Sequence, residues 1–441
     1  MSLFLTSIGA VIVVLGLMIF VHEFGHFAVA RLLGVRIEVF SLGFGPRLIG
    51  IRRGPTDYRI SALPLGGYVR MAGDNPAEAR TGAPDEFLSK TRWQRALIIL
   101  AGPAMNILFC AVLASVLLLA GGPEPVFLQR PPQVAGVLPD SPAAQAGLQA
   151  GDRILQVNGH RVSTWDDVFW DLLFVQPGER LVLGVLRNGQ EKTIELTVPA
   201  QAADTAALVG FADQSTLVGS LAPGMPAQQA GLQPGDRVVM VDGKAVHSPA
   251  ELAARIADSG GRTLRFTVDR AGKTIELEVK PRYGDPGDGR TRWFIGAVFQ
   301  TATVFRRHPP AEAIRGGIRY TVQLGREVAM ALVALVERRA SVKQLMGPVG
   351  LAKQSGEAAR RGLGDFINLM AFISLNLGIL NLLPIPILDG GHLVVLAVEG
   401  VLRRDLSVAV KERVAQAGFV FLLLVFVVVM YNDVLRLLPR H

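Results

Sequence analysis

The sequence predicts a polytopic α-helical membrane protein that carries a pair of soluble, β-rich modules, and three observations support that prediction. Half of the 441 residues are hydrophobic and the mean hydropathy is +0.36, too apolar for an ordinary soluble enzyme. Four stretches reach or approach the roughly 20 apolar residues that a helix needs to cross a hydrocarbon core of about 30 Å. Between the second and third of them lies a long polar segment, 121–364, rich in Gly and Pro, that repeats itself.

The first stretch, about 3–32, is followed by no small-residue cleavage site, so it reads as a retained span (domain 1–33) and not as a cleavable signal. A connection at 34–96 follows, then the second span at 97–120, "LIILAGPAMNILFCAVLASVLLLA". The third covers 365–388, or 365–390 with the residues that close it, and a fourth lies at 415–438 beyond a short loop at 391–414. The net charge of +8 and pI near 9.9 do not point to nucleic acid, because the basic residues are scattered and the excess flanks apolar segments. The 34–96 connection holds Arg36, Arg47, Arg52, Arg53, Arg59, Arg70, Arg80, Lys90, Arg92 and Arg95, and the last loop adds Arg403, Arg404, Lys411 and Arg413. The positive-inside rule puts both connections in the cytoplasm. The termini and 121–364 are then expected on the other side, the periplasm of a Gram-negative cell. The single cysteine, Cys110, excludes an intrachain disulfide and a Cys-based zinc site.

The repeat aligns "SPAAQAGLQAGDRILQVNGHRV" at 141–162 with "GMPAQQAGLQPGDRVVMVDGKAV" at 224–246, setting Gly147 on Gly231, Asp152 on Asp236 and Gly159 on Gly243. Each copy reads as a short helix, a strand, a second helix ("WDDVFWDLL", "SPAELAARIADS") and closing strands ("RLVLGVLRNG", "TLRFTVDRAG"). The copies, bounded at 125–203 and 207–290, resemble the PDZ domain in its circularly permuted bacterial form. That resemblance implies grooves that bind peptide as an added strand. The plainer reading is that "AGLxxGDR" only closes a small β fold.

The first span ends in "VHEFGH", 21–26. Residues four apart share a helix face, so His22 and His26 can present ring nitrogens to one ion while Glu23 stands beside it. Neutral imidazoles suit zinc, and a carboxylate next to a zinc-bound water can take its proton. Ionisable groups inside a membrane are costly and usually functional. A third protein ligand is needed, and the third span ends in "NLLPIPILDGGHL", where Asp389 is the one acidic residue between Asp365 and Glu399. An Asp beside two glycines can be merely a turn residue. Two nitrogens and one oxygen, with a fourth position for water, make the catalytic pattern; His392 competes for the same role. Pro384 and Pro386 should break the helix, and irregular backbone at membrane depth is tolerated only inside protein or beside a water-filled cavity.

"HEFGH" in the first span, "NLLPIPILDG" in the third and two PDZ-like copies between the second and third resemble, over essentially the whole chain, the site-2 protease family of intramembrane zinc metalloproteases. The resemblance implies His22, His26 and Asp389 as ligands of Zn2+ and Glu23 as general base. It also implies substrate-binding roles for Asn376, Asn381, Pro384 and Pro386. "YRISALPLGGYVRMAG" at 58–73 is similar to the family's membrane-associated β-hairpin, and "LMGPVGLAKQSG" at 345–356 to a segment that follows its second PDZ domain. The family implies a multi-pass protein of the cell inner membrane, with the HExxH and LDG ends toward the cytoplasm, the PDZ copies periplasmic, and trimmed anti-sigma factors and remnant signal peptides as single-span substrates. The PDZ pair would then act as a size filter.

Period-two alternation in 58–71 suits two short strands with Gly66 and Gly67 at the turn. An exposed strand edge there, including Tyr68, could receive an unwound substrate; the alternative is a cytoplasmic hairpin that only packs against the bundle. Within 291–364, residues 311–340 read as an amphipathic helix along the membrane surface, with Arg315, Arg319, Arg326 and Glu327 arguing against a fifth span. Two other functions fit parts of the pattern. A PDZ membrane scaffold would not need Glu23, and a metal transporter could use the same three ligands but would carry more polar residues along its spans.

Overall fold

The computed structural model describes residues 2–75, 81–138, 140–172, 175, 178–199, 208–210, 212–214, 216–286, 291–337 and 347–437. The chain divides into two units, Met1–Gly121 with Arg307–His441, and Gly122–Arg306. Among the described residues four helices are long and apolar enough to cross a membrane: Thr6–Leu32, Arg92–Ala120, Leu363–Asn381 and Val408–Asp433.

Helix α1 (Ser2–Leu32) leads into strands β1 (Ile37–Arg53) and β2 (Thr56–Met71). The turn between them falls at Gly54 and Pro55, with Gly54 at φ +61°, and not at Gly66 and Gly67 as the alternation predicts. Both strands bend sharply. Residues 39–42 pair with 57–60 on one side, while 37–42 pair with 67–71 on the other, and 57–60 also pair with 49–52. The result is four rows in the order 67–71, 37–42, 57–60, 49–52. Row 37–42 lies between rows 57–60 and 67–71, so no tight hairpin turn joins those two. Gly43 and Gly45, at φ +89° and +87°, supply the bend in β1. Gly66 and Gly67 instead allow close approach: a Cβ on Gly66 would overlap the Phe44 ring, and one on Gly67 would lie 3.1 Å from Ile19 and 3.3 Å from Glu23 Cγ, on α1. Row 67–71 is an edge.

Helix α2 (Arg92–Ala120) starts with a capping box, in which Thr91 accepts from Gln94 N and the Gln94 side chain answers the cap amide. Pro103 lies inside it and removes the amide that would bond the Ile99 carbonyl. Small residues bring α1 and α2 together: a Cβ on Gly25 would overlap the Ala101 carbonyl.

In the second unit, β3 (Gly122–Pro125) pairs with β16 (Thr303–Arg306). The first repeat copy folds as α3 (Pro142–Gln145), β4 (Arg153–Val157), β5 (His160–Arg161), α4 (Trp165–Leu172), β6 (Arg180–Arg187) and β7 (Gln190–Thr197), with strand order β5-β4-β6-β7. Its core includes Ile154, Trp165, Val168, Leu181, Leu183 and Val185. The second copy comprises β8 (Leu217–Leu221), α5 (Pro226–Gln229), β9 (Arg237–Val241), β10 (Lys244–Ala245), α6 (Pro249–Ala257), β11 (Leu264–Arg270) and β12 (Lys273–Val279). Strands β13 (Arg282–Gly284) and β14 (Arg292–Phe294) pair with each other. β15 (Ala297–Gln300) then joins β8, giving the order β12-β11-β9-β8-β15. The second copy therefore extends past the expected boundary at 290, because its last strand comes from the segment assigned to the linker.

The repeat also explains its aspartates. Asp152 is held by both nitrogens of an Arg187 fork at 2.6 Å, and Arg187 also donates to the Gly147 carbonyl at 2.7 Å. Asp236, Arg270 and Gly231 repeat this arrangement at 2.7–2.8 Å. Burial pushes each carboxyl up, but the arginine fork and a backbone amide outweigh it, so both sit below the ordinary carboxylate range. A depressed folded-state value stabilises the fold above the unfolded pKa of about 4, and the gain is lost as pH falls through the folded value. Asp152→Ala should destabilise the first copy by about 2 kcal/mol at pH 7, read by urea unfolding. The wild-type advantage should shrink below about pH 4; an advantage that persists unchanged at pH 2 would refute the ion-pair account.

The first unit resumes with α7 (Pro310–Val336), covering the segment expected to be amphipathic. It packs on α2, where a Cβ on Gly317 would overlap Ser115 and Thr321 reaches Cys110 Sγ at 3.5 Å. Residues 338–340 of that segment, and Leu345 and Met346 of the 345–356 stretch, lie outside the described residues. Helix α8 (Pro348–Arg361) is tied to α11 (Val408–Leu437): the Asp433 carboxylate accepts from the amides of Gly347, Val349 and Gly350, each at 3.0 Å.

The third span is shorter than expected. α9 (Leu363–Asn381) stops at Asn381, seven residues containing Pro384 and Pro386 break it, and α10 (Asp389–Leu402) opens at Asp389. Much of the loop expected at 391–414 is thus helix, and the bend that follows is fixed by buried Glu399, which accepts from Leu406 N at 2.9 Å and pairs with Lys411 at 2.7 Å. The break is closely packed. A Cβ on Gly390 would overlap the carbonyls of Leu382 and Leu383, one on Gly391 that of Ile385, and one on Gly418 of α11 that of Pro386. Ile387 holds φ +84°, a strained conformation for a β-branched residue.

Candidate metal centre and active site

On α1, one turn separates His22 from His26, and their Nε2 atoms face each other at 3.2 Å. The first residue of α10 completes the group. Asp389 Oδ2 lies 3.1 Å from His22 Nε2 and 3.6 Å from His26 Nε2, with side-chain exposures of 10%, 12% and 18% for His22, His26 and Asp389. The three ligand atoms lie within 4.8 Å of one another, and Oδ2 has no hydrogen-bond donor. Three largely buried ligand atoms drawn together in this way, two imidazole nitrogens and a carboxylate oxygen, are a set that a cation would satisfy. His392, the competing third ligand, is not in this group among the described residues.

The far side of each ring is engaged as well. His26 Nδ1 donates to the Ile98 carbonyl of α2 at 2.8 Å, which leaves Nε2 its lone pair. His22 Nδ1 faces the side-chain amides of Asn106 at 3.3 Å and Asn381 at 3.5 Å. Glu23 stands beside the histidines and accepts from the Val69 amide of the edge row. A cavity is lined by Glu23, His26 and Asp389 together with apolar Val69, Met71 and Ile98. The geometry can hold a divalent ion with a carboxylate alongside it and an open strand edge within reach.

Of the other candidate residues, Asn381 closes α9 within reach of His22, whereas Asn376 gives its amide to the Phe372 carbonyl of its own helix at 2.8 Å. Pro384 and Pro386 lie in the break that sets the start of α10. Gly67 is against Glu23, and Gly66 is against Phe44. Tyr68 stacks on Phe44 with its hydroxyl bonded by Arg59. Sequence reasoning missed Asn106 and Gly102. An Asn in the middle of an apolar span is itself the signal for the first; for Gly102, nothing local gives the signal, since only the packed structure shows His26 against it.

A HExxH pair on one spanning helix, joined by a carboxylate at the first residue of a second, shorter helix, defines a metalloprotease of the membrane. The model of Peptidase family M50 matches residues 10–425. Protease RseP of Yersinia pestis is 33% identical over 98% of this chain and 99% of its own length. Regulator of sigma-E protease RseP of Escherichia coli is 32% identical, again over 98% and 99%. A relative from Neisseria meningitidis whose name includes zinc metalloprotease is 32% identical over 96% and 97%. The chain belongs to peptidase family M50 and is a zinc metalloprotease of a membrane.

Proposed function

We propose that the chain is an intramembrane endopeptidase that hydrolyses single-span membrane proteins within or beside their transmembrane helix, with His22, His26 and Asp389 as zinc ligands and Glu23 as general base. The convergence of those three side chains beside Glu23 supports this reading most directly. Zinc, when bound, supplies Lewis acidity toward water and toward the scissile carbonyl. Glu23 takes the proton of the attacking water and passes it to the leaving amine, so that one C–N bond breaks as one C–O bond forms. Asn381, at the partly buried end of α9, holds substrate backbone or the developing oxyanion with its amide. The edge row, Gly66, Gly67 and Tyr68 included, takes the unwound substrate as an added strand. The break around Pro384 and Pro386 lines the route to the site.

The enzyme sits in an inner membrane, with the basic 34–96 and 401–414 connections cytoplasmic and the repeat copies, read as PDZ domains, on the periplasmic side. Relatives named regulator of sigma-E protease support a trimmed anti-sigma factor as substrate, and the PDZ pair restricts access by size whether or not its grooves bind peptide. The test is full-length protein purified in detergent, assayed for metal and for cleavage of trimmed and untrimmed forms of a single-span substrate. We expect one zinc per chain and cleavage of the trimmed form alone. Asp389→Ala should lose most of the zinc; full zinc retention would sink the ligand assignment, and equal cleavage of both forms would sink the size filter.

A further inference from the structure

An imidazole that ligates a metal through Nε2 carries its proton on Nδ1, and that N–H needs an acceptor. His26 has one, the Ile98 carbonyl. Among the described residues, His22 Nδ1 has the two side-chain amides of Asn106 and Asn381, and both present their nitrogen to it. Two donors facing each other is not a hydrogen bond. The oxygen and nitrogen of an asparagine amide exchange places by a half-turn about χ2, with almost no change in shape.

Asn106 is the residue in which that half-turn resolves a conflict. It is fully buried, at 0% exposure, it is the nearer of the two, and its Oδ1 has no partner as it stands. Its backbone is held as well: the Ser374 hydroxyl of α9 donates to the Asn106 carbonyl at 2.8 Å. Asn381, by contrast, is the last residue of α9 and only partly buried, so its amide can serve a passing substrate. We propose that Asn106 is a positioning residue whose Oδ1 accepts from His22 Nδ1–H, fixing the tautomer and ring plane that His22 offers to zinc. This rests on the assignment of His22 as a zinc ligand.

Full-length protein in detergent, loaded with zinc, tests it through metal affinity measured by chelator competition, with the visible spectrum of the cobalt-substituted protein as a second readout. Asn106→Leu keeps the volume and removes the acceptor; it should weaken zinc binding by about 10- to 100-fold and alter the cobalt spectrum. Asn106→Asp, as a carboxylate, accepts and does not donate, so it should hold zinc at least as tightly as the wild type. If Asn106→Leu does not fold, the Asp variant decides alone: a loss of affinity there would mean that the amide acts as a donor, and the proposal fails. His22→Ala separates the two levels of the argument. Zinc loss in His22→Ala with wild-type affinity in Asn106→Leu would overturn the role of Asn106 and leave the ligand assignment standing, whereas full zinc in His22→Ala would remove the ligand assignment itself.

Discussion

Glu23→Gln is expected to leave zinc content at its wild-type value and to lower cleavage of a trimmed single-span substrate by about 10³-fold. Glutamine has the shape of glutamate, and its carbonyl oxygen can still accept from the Val69 amide that bonds Glu23. The residue also lies outside the group of His22, His26 and Asp389, so its exchange removes a proton acceptor and no ligand atom. The substitution therefore separates chemistry from structure. Residual turnover above a tenth of wild type, with zinc bound, would mean that another group takes the proton. The same variant distinguishes any scaffolding role of the repeat copies, which should survive it.

The features legible in the sequence are those with a local pattern. "HEFGH" places two histidines one helical turn apart by spacing alone, the apolar stretches mark the spans, and the repeat marks its own period. Asp389 was legible as an isolated acid, though not as the first residue of a new helix, because two prolines announce a break and do not say where the helix resumes. The β1–β2 sheet shows the opposite case. Gly66 and Gly67 look like a turn next to alternating residues, yet the turn is at Gly54 and Pro55, and the pair serves contact with Phe44 and α1. A glycine needed for a turn and a glycine needed for close approach look alike in one dimension. β15 reads as linker in the sequence because its partner, β8, is joined to it only in the folded sheet. Asn106 was missed because it meets His22 across 84 residues of chain.

Gly102→Ala is expected to reduce zinc affinity by about 100-fold and cleavage in proportion, while the protein still accumulates in the membrane. A Cβ at this position would overlap His26 Nε2 and lie 2.5 Å from His26 Cε1 and 2.9 Å from His22 Cε1, so one methyl group enters the space of both imidazoles. The helices cannot move apart cheaply to accommodate it, because Gly25 already rests on the Ala101 carbonyl one residue away. The rings have to turn instead, and turning breaks the 2.8 Å bond from His26 Nδ1 to the Ile98 carbonyl that aims Nε2 at His22 and Asp389. Folding of α2 itself should not suffer, since alanine favours helix over glycine by about 1 kcal/mol. Gly16→Ala is the control: it lies on α1, and a Cβ there meets nothing within 4 Å. Gly16→Ala should match the wild type in zinc content and turnover. If Gly102→Ala also keeps one zinc per chain and full activity, the two histidines are not confined by α2 in the way this packing requires, and α1 alone must hold them in place.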